Sequence, residues 1–472
     1  MSITPLAVGF DLSTQGLTVQ AVSFDGDALP HIEWQQAINF DRLLPQYGTR
    51  HGVLPLTDPT IACAPPQMWV DALDLALSAL AASGLDLSRI EAMSGSAQQH
   101  GTVYLDRDGA FTRSTSPIWM DTSTTRECAE ISAALGGPDA VAQLTGSRCF
   151  ERFSGPQIRK FWKDDAAAYA RTSRIHLVSS FMASALIGGD APVDPGDASG
   201  MNLMDLRTSD WDARALDATA PGLRERIPHI TPSSTVIGVV SERWQRAYGL
   251  PPAKVVAWTG DNPSSLVGLG LRDEGEVAIS LGTSDTIFGP MREPRVSPDG
   301  LGHVFASPTG GFMGITVFAN GSLARERVRD MYGLTWPQFS DALRSTSFGN
   351  DGARMLPYFV PEITPHVPVA GVQRFNLDAA DAPRNVRAVV EAQMHAMQQY
   401  SAWMGVTIRK IYATGGASAN AEILRVMSDV FRVPVERRDI TNSACLGAAI
   451  RAHDAHFALA GDAGERGNPT TL

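Results

Sequence analysis

One local pattern occurs twice in this 472-residue chain: a short apolar strand, a tip of small polar residues, and a second apolar strand. The first copy spans residues 6–10, the tip Asp11-Leu12-Ser13-Thr14-Gln15-Gly16, and residues 17–24. The second spans residues 277–281, the tip Gly282-Thr283-Ser284-Asp285, and residues 286–288. Apolar arms around a polar tip predict a hairpin with buried arms and an accessible turn. A unit that returns only once, far along the chain, points to a duplicated domain and not to a short-period array. The length agrees, because it exceeds one ordinary core and divides into two domains of ~200–250 residues. Residues 221–239 carry three prolines and read as a linker, and Pro251-Pro252 follows. The expected division is therefore 1–252 and 253–472.

Between the hairpins, strands alternate with helices, which predicts an α/β fold. Residues 67–82 place Met68, Ala72, Leu73, Ala76 and Leu80 on one helical face. Strands are expected at 90–93, 102–105, 254–258, 411–414 and 433–437. Further helices are expected from near Thr122, up to about Trp162, and over 264–269, 386–409, 420–431 and 442–457. The Gly-, Asp- and Pro-rich residues 188–200 read as a loop.

Composition excludes several function classes. The net charge is −11 and no basic stripe occurs, so a nucleic-acid partner is not expected. No apolar run reaches ~18 residues, so no membrane span is expected. The four cysteines, Cys63, Cys128, Cys149 and Cys445, form no CxxC pair and fit a reducing cytoplasm. The N-terminus lacks the basic and apolar regions of a signal peptide.

The polar residues fall at strand ends. Ser13 and Thr14 offer hydroxyls and backbone N–H groups at a turn, which suits phosphate oxygens. Asp11 beside them could hold magnesium, which prefers oxygen ligands and keeps several waters. A turn that only satisfies its own backbone has the same composition. Gly282, Thr283 and Ser284 repeat the phosphate-type turn. Gly415-Gly416, between a strand and the helix beginning near Asn420, would admit a nucleotide close to the backbone. Asp261, in Thr-Gly-Asp-Asn-Pro after a strand, could accept a hydroxyl proton, with Asn262 bonding a sugar; Asp261 could equally cap the next helix. Gln98-Gln99-His100 and Arg152 are further polar candidates. Asp121 is expected to cap a helix. Trp336 is expected on a helix face, where it could stack on adenine.

Taken together, these segments resemble the FGGY carbohydrate kinases of the actin-like ATPase superfamily, most of all the xylulose kinase branch in its vertebrate-type form. The resemblance rests on GFDLSTQ at 9–15, SGSAQQHG at 94–101, PIWMDTSTTREC at 117–128 and LTGSRCFERFSGPQIRK at 144–160. It continues through DASGMNL at 197–203, VVAWTGDNPSSL at 255–266, AISLGTSDTIF at 278–288, ATGGASAN at 413–420 and RDITNSACLGAAIRA at 438–452. It implies two RNase H-like domains flanking a deep cleft, each with a mixed five-stranded sheet. The first domain would bind sugar and the second nucleotide. The implied reaction moves the γ-phosphate of ATP to the carbon-5 hydroxyl of D-xylulose, giving D-xylulose 5-phosphate and ADP. Alternatives are another small sugar or polyol (ribulose, glycerol, gluconate) or, at greater distance, a non-enzymatic actin-like ATP-binding protein. By the same resemblance Asp261 is the catalytic base, and Gln99, His100, Arg152 and Asn262 hold the sugar. Asp11 and Asp261 are the carboxylates for magnesium. Ser13, Thr14, Gln15, Gly282, Thr283, Ser284, Trp336, Gly415, Gly416 and Asn420 hold ATP. A cytoplasmic enzyme is expected, with no membrane or nucleic-acid partner; a homodimer is compatible with the sequence.

Overall fold

The computed structural model describes residues 4–25, 30–440 and 442–465, with side chains placed up to residue 456. Its contacts divide the chain into two compact units. The first holds the described residues up to Gly270, Phe305–Gly310, and 442–465; the second holds Leu271–Val304 and the residues from Gly311 to the end of the described stretch at 440. The expected division at 252/253 and these units differ in three segments: residues 253–270, Phe305–Gly310 and 442–465. Residues 253–270 stay with the first unit because Lys254–Val256 and Thr259–Gly260 pair in parallel with Ile90–Ala97. The last helix, Ser443–Glu465, packs on that same sheet.

In the first unit, Leu6–Leu12 and Gly16–Ser23 form the expected hairpin, and His31–Asn39 extends it antiparallel. Ile90–Ala97 lies parallel on the other side of Leu6–Leu12, with Asp11 opposite Ser96. Lys254–Val256 follows, and Val236–Val239 closes the edge. Leu6–Phe10 is buried without a break because the sheet is covered on both faces. Pro66–Ala81 lays Met68, Trp69, Ala72, Leu73, Ala76 and Leu80 into this core.

In the second unit, Glu276–Leu281 and Asp285–Met291 form the second hairpin, with Leu281 opposite Asp285. Phe312–Phe318 extends it antiparallel, Lys410–Thr414 lies parallel on the far side, and Val435–Arg437 comes next. In both units the third strand adds to the second, the fourth to the first, and the fifth to the fourth. The duplicated hairpins thus seed one shared five-strand order, to which the first sheet adds Thr259–Gly260 and Val236–Val239 and the second adds His303–Ala306.

Several local expectations change. Residues 221–239 are not all linker, because Val236–Val239 pairs with Lys254–Val256 despite the preceding prolines. Residues 188–200 contain a helical turn, Pro195–Ala198, started by Asp194 as N-cap and Pro195 at its first position. The helix expected over 386–409 is Ala382–Tyr400, ending before Gly405 at positive φ. Asp121 caps no helix: its Oδ2 accepts from the Ala62 N–H and its Oδ1 from Ser123, while the helix begins at Thr125. Among the described residues no helix is long and apolar enough to cross a membrane.

Candidate active site

The first unit gathers Asp11, Gln99, His100, Arg152, Asp261 and Asn262. Asp11 ends its strand, and its Oδ1 accepts from Ser96 Oγ at 2.7 Å. Burial raises its carboxyl from 3.8 to about 6, partly offset by Ser96. Asp261 is the first residue of the helix Asp261–Gly268, and Gly260 is the N-cap. Its Oδ1 accepts from the Asn262 N–H at 2.8 Å and from Asn262 Nδ2 at 3.1 Å. The carboxyl therefore does not cap the helix turn above it. Burial, and next the Asp11 charge, push Asp261 up to about 7. A carboxylate held near neutrality is suited to take a proton from an alcohol as it attacks phosphorus.

The helix bearing Asp261 is fixed from behind. It crosses Ser443–Glu465 at Gly268 and Gly447, where a Cβ on either glycine would fall 1.9 Å from a backbone oxygen of the opposite helix. No residue with a side chain allows that approach. Gly260 meets Gln99 in the same way, since a Cβ there would lie 2.5 Å from Gln99 Cγ.

Gln99 Oε1 accepts from Asn262 Nδ2 at 2.9 Å, so Gln99, Asn262 and Asp261 form one hydrogen-bonded row. His100 sits beside it at φ 74°, a conformation uncommon outside glycine. Three contacts hold it there. Its carbonyl accepts from Ser154 Oγ at 2.8 Å, Nδ1 lies 2.7 Å from the Gly200 carbonyl, and the ring stacks on Phe153. A carbonyl only accepts, so Nδ1 carries the proton and Nε2 is the acceptor. Burial, and next the Arg152 charge, lower His100 to about 3, so the ring is neutral. The Arg152 guanidinium lies over Phe150 and Phe153, placing a cation at this edge of the cluster.

The hairpin tip of this unit stands next to Asp11. Ser13 and Gln15 are exposed, and Ser13 Oγ donates to the Gly16 carbonyl at 3.1 Å. Thr14 Oγ1 accepts from the indole N–H of Trp119 at 2.8 Å. Trp119 belongs to the PIWMD segment, but no residue-level signal gave it this contact. Gln98 and the Thr259 hydroxyl are enclosed without a hydrogen-bond partner on their side-chain polar atoms. Enclosed polar atoms left in this way mark places where a polar ligand or water completes the bonding.

The second unit gathers the other candidates. The carbonyl of Gly282 accepts from the Ser322 N–H at 2.8 Å, which ties the turn to the helix Ser322–Met331. Gly415 has φ 81°, and a Cβ there would lie 2.7 Å from the Leu281 carbonyl oxygen, so the glycine pair runs directly beside the turn. Gly416 opens onto free space. Asn420 caps Ala421–Phe431 through Oδ1, and its Nδ2 donates to Ser340 Oγ at 2.9 Å. Ser340 Oγ donates in turn to the Trp336 carbonyl. Trp336 is partly exposed at the start of its helix, with the Arg329 guanidinium 4.6 Å from its ring. Below the turn, Arg325 and Asp285 form a fully buried bidentate pair. A separate hollow of about 690 Å³, lined by Phe318, Met355, Tyr358, Glu362 and Thr364 among others, takes in none of the candidate residues.

Asp11 and Asp261 are two half-buried carboxylates, and neither forms an ion pair among the described residues. Two such charges call for a cation, and one or two carboxylates with phosphate oxygens and water are the usual set for magnesium. The donor set fits.

The chain matches two family models: the N-terminal domain of the FGGY family of carbohydrate kinases over residues 56–268, and its C-terminal domain over 277–455. A xylulose kinase of Rattus norvegicus is 42% identical, with 94% of this chain and 87% of that protein covered. Two structures from Lactobacillus acidophilus are similar. One is a gluconate kinase, TM-score 0.84 and 19% identity over 97% of this chain and 90% of that one. The other is a ligand-bound xylulose kinase, TM-score 0.83 and 19% identity over 96% and 90%. The fold is that of the actin-like ATPase sugar kinases, and the chain belongs to the FGGY family of carbohydrate kinases.

Proposed function

We propose that this sugar kinase transfers the γ-phosphoryl group of ATP to the carbon-5 hydroxyl of D-xylulose, giving D-xylulose 5-phosphate and ADP. The observation that carries the reading is the row Gln99–Asn262–Asp261, which sets a near-neutral base among sugar-type hydrogen-bonding groups. The similarity to a xylulose kinase over nearly the whole chain supports the choice of ketose. Fold alone does not choose it, since a gluconate kinase is as similar in structure.

In this reading the sugar's reactive hydroxyl donates to Asp261, which takes its proton as the oxygen bonds to phosphorus. His100 Nε2, Asn262 and Gln99 bond the remaining hydroxyls, and Arg152 donates to an oxygen of the substrate. The first unit thus binds the sugar. Ser13, Thr14 and Gln15 in that unit, with Gly282, Thr283 and Ser284 in the second, bond the ATP phosphates. Gly415, Gly416, Asn420 and Trp336 hold the adenosine. Asp11 and Asp261 would hold magnesium, which supplies charge compensation on the phosphates. Most of the rate then comes from positioning and electrostatics, as phosphoryl transfer requires little covalent work from the protein.

The test is ADP release at fixed ATP and magnesium with D-xylulose, D-ribulose, glycerol and gluconate. D-xylulose should give the highest kcat/KM, with D-ribulose next because it differs at one centre. Glycerol has too few hydroxyls for these partners, and a site built for hydroxyls rejects ligands that lack them. A higher kcat/KM for glycerol or gluconate would overturn the substrate and leave the kinase.

A further inference from the structure

One buried carboxyl next to this cluster has no part in the chemistry above. Asp197 lies in the short helical turn Pro195–Ala198, within the DASGMNL segment, and is 1% exposed. Its backbone N–H donates to Asp194 Oδ1 at 2.9 Å, and Asp194 is itself anchored by Ser233. Ser179 Oγ donates to Asp197 Oδ2 at 2.5 Å. The other oxygen, Oδ1, is enclosed without a close partner, and so is Gln99 Nε2. The two belong together. Burial pushes the Asp197 carboxyl well up and Asp194 and Asp261 add to this, whereas Ser179 and the Gln99 amide pull it back.

We propose that Asp197 is a positioning residue for sugar binding: it fixes which way the Gln99 amide points, and through Gln99 it turns the Asn262 carbonyl toward the substrate. The inference rests on reading the Asp261 cluster as the sugar site. A side-chain amide has a donating and an accepting end, and its neighbours decide the orientation. Asp197 Oδ1 accepts, whether the carboxyl is ionised or carries its proton on Oδ2 against Ser179. Gln99 therefore presents Nε2 to Asp197 and Oε1 to Asn262, where the 2.9 Å bond lies. Asn262 Nδ2 then spends its two hydrogens on Gln99 and on Asp261. Its Oδ1 is left to accept from the ligand.

This sets the polarity of the whole site. Asn262 Oδ1, His100 Nε2 and Asp261 all accept, and Arg152 donates. The matching ligand presents several O–H donors and one oxygen acceptor near the cation. That describes a neutral polyhydroxy carbonyl compound. With the Gln99 amide reversed, Asn262 would present its N–H groups instead and Asp261 would lose its bond from Nδ2.

The experiment uses the full chain, saturating magnesium-ATP, and whichever sugar the wild type turns over best, so that a wrong choice of pentulose does not affect it. Asp197→Leu keeps the size and removes the acceptor. Its sugar KM should rise at least tenfold, with kcat within about threefold and the KM for ATP unchanged. Asp197→Asn should stay within about threefold of wild type in sugar KM, because its carbonyl still faces Gln99 while its amide donates to Ser179. If Asp197→Leu does not fold, Asp197→Ala takes its place. The decisive comparison adds Gln99→Met. If Asp197 acts through Gln99, the double variant Asp197→Ala/Gln99→Met has the sugar KM of Gln99→Met alone. Multiplying effects, an unchanged sugar KM on removing the acceptor, or equal losses in kcat and ATP affinity would overturn the proposal.

Discussion

Gly447→Ala tests whether backbone packing far from the substrate sets the position of the base. A Cβ at Gly447 would lie 1.9 Å from the Ser264 carbonyl oxygen and 2.9 Å from the Gly268 nitrogen. Real Cβ contacts do not fall below 3.0 Å, so the helices must separate by about 1 Å. Both obstructing atoms are backbone, and neither can rotate aside. Overpacking of this kind costs ~1–3 kcal/mol, and the upper end is expected where nothing can yield. The same shift moves the helix whose first residue is Asp261. A displacement of ~1 Å at the reacting groups can cost ~10²-fold in rate. The assay is kcat/KM for the sugar at a temperature well below the melting transition, where the variant is folded. Gly371→Ala is the control, since its Cβ meets nothing within 4 Å and its φ is not positive. It should change stability by no more than ~0.5 kcal/mol. Normal melting and kcat/KM in Gly447→Ala would refute the argument that this crossing places the base.

Two further outcomes follow from the site. Ser13→Ala and Thr283→Val should each weaken ATP binding by ~1.5–3 kcal/mol, the value of a hydrogen bond to a charged group, while sugar binding without nucleotide hardly changes; calorimetry with unchanged nucleotide affinity in both variants would remove the two turns from the ATP site. His100→Ala should raise the KM for D-xylulose more than it lowers ATP hydrolysis without sugar, because Nε2 is an acceptor for a sugar hydroxyl; an unaltered KM would remove His100 from the sugar site.

Much of this arrangement was legible because the chemistry sits at strand ends. Asp11, Gln99 and Asp261 each follow an apolar run that reads as a strand, and the parallel pairing of those strands brings them together. The strands that the sequence does not announce have other signatures. His31–Asn39 is polar or half-exposed along most of its length, so it shows no buried face to count. Phe312–Phe318 follows two glycines at positive φ and contains Gly314, which dilutes a strand signal. The expectation that Asp261 and Asn262 open the second domain follows from chain order, but they pack in the first unit, because the last helix returns there to support them. Asp197 was visible only as a letter in a motif. Its meaning depends on Ser179 and Gln99, which are distant in sequence and near only in the fold. Donor and acceptor polarity across such contacts has no periodicity for a sequence to show.

The base itself should carry a stability cost, and Asp261→Asn separates that cost from its use. Asp261 rises from 3.8 in the unfolded chain to about 7 in the folded one, through burial and the Asp11 charge. Below pH 3.8 both states hold the proton and the shift costs nothing. Between 3.8 and about 7 the unfolded chain has released the proton while the folded chain keeps it, so stability falls as pH rises. Above about 7 both are ionised and the penalty is constant, on the order of 4 kcal/mol at about 1.36 kcal/mol per pH unit. Asparagine keeps the size and the oxygen that accepts from Asn262, and it carries no charge. In the absence of magnesium and ATP, the variant should therefore melt above wild type at pH 8, and the gap should shrink steadily toward pH 4. Turnover should move the other way, with kcat lower by at least ~10² because no base remains. A gap in melting temperature that is the same at pH 4 and pH 8 would show that the carboxyl is not held in its neutral form by the fold. A variant with near-normal kcat would show that another group takes the proton. Only the joint result, a more stable and nearly inactive protein at pH 8, is what a desolvated base beside Asp11 requires.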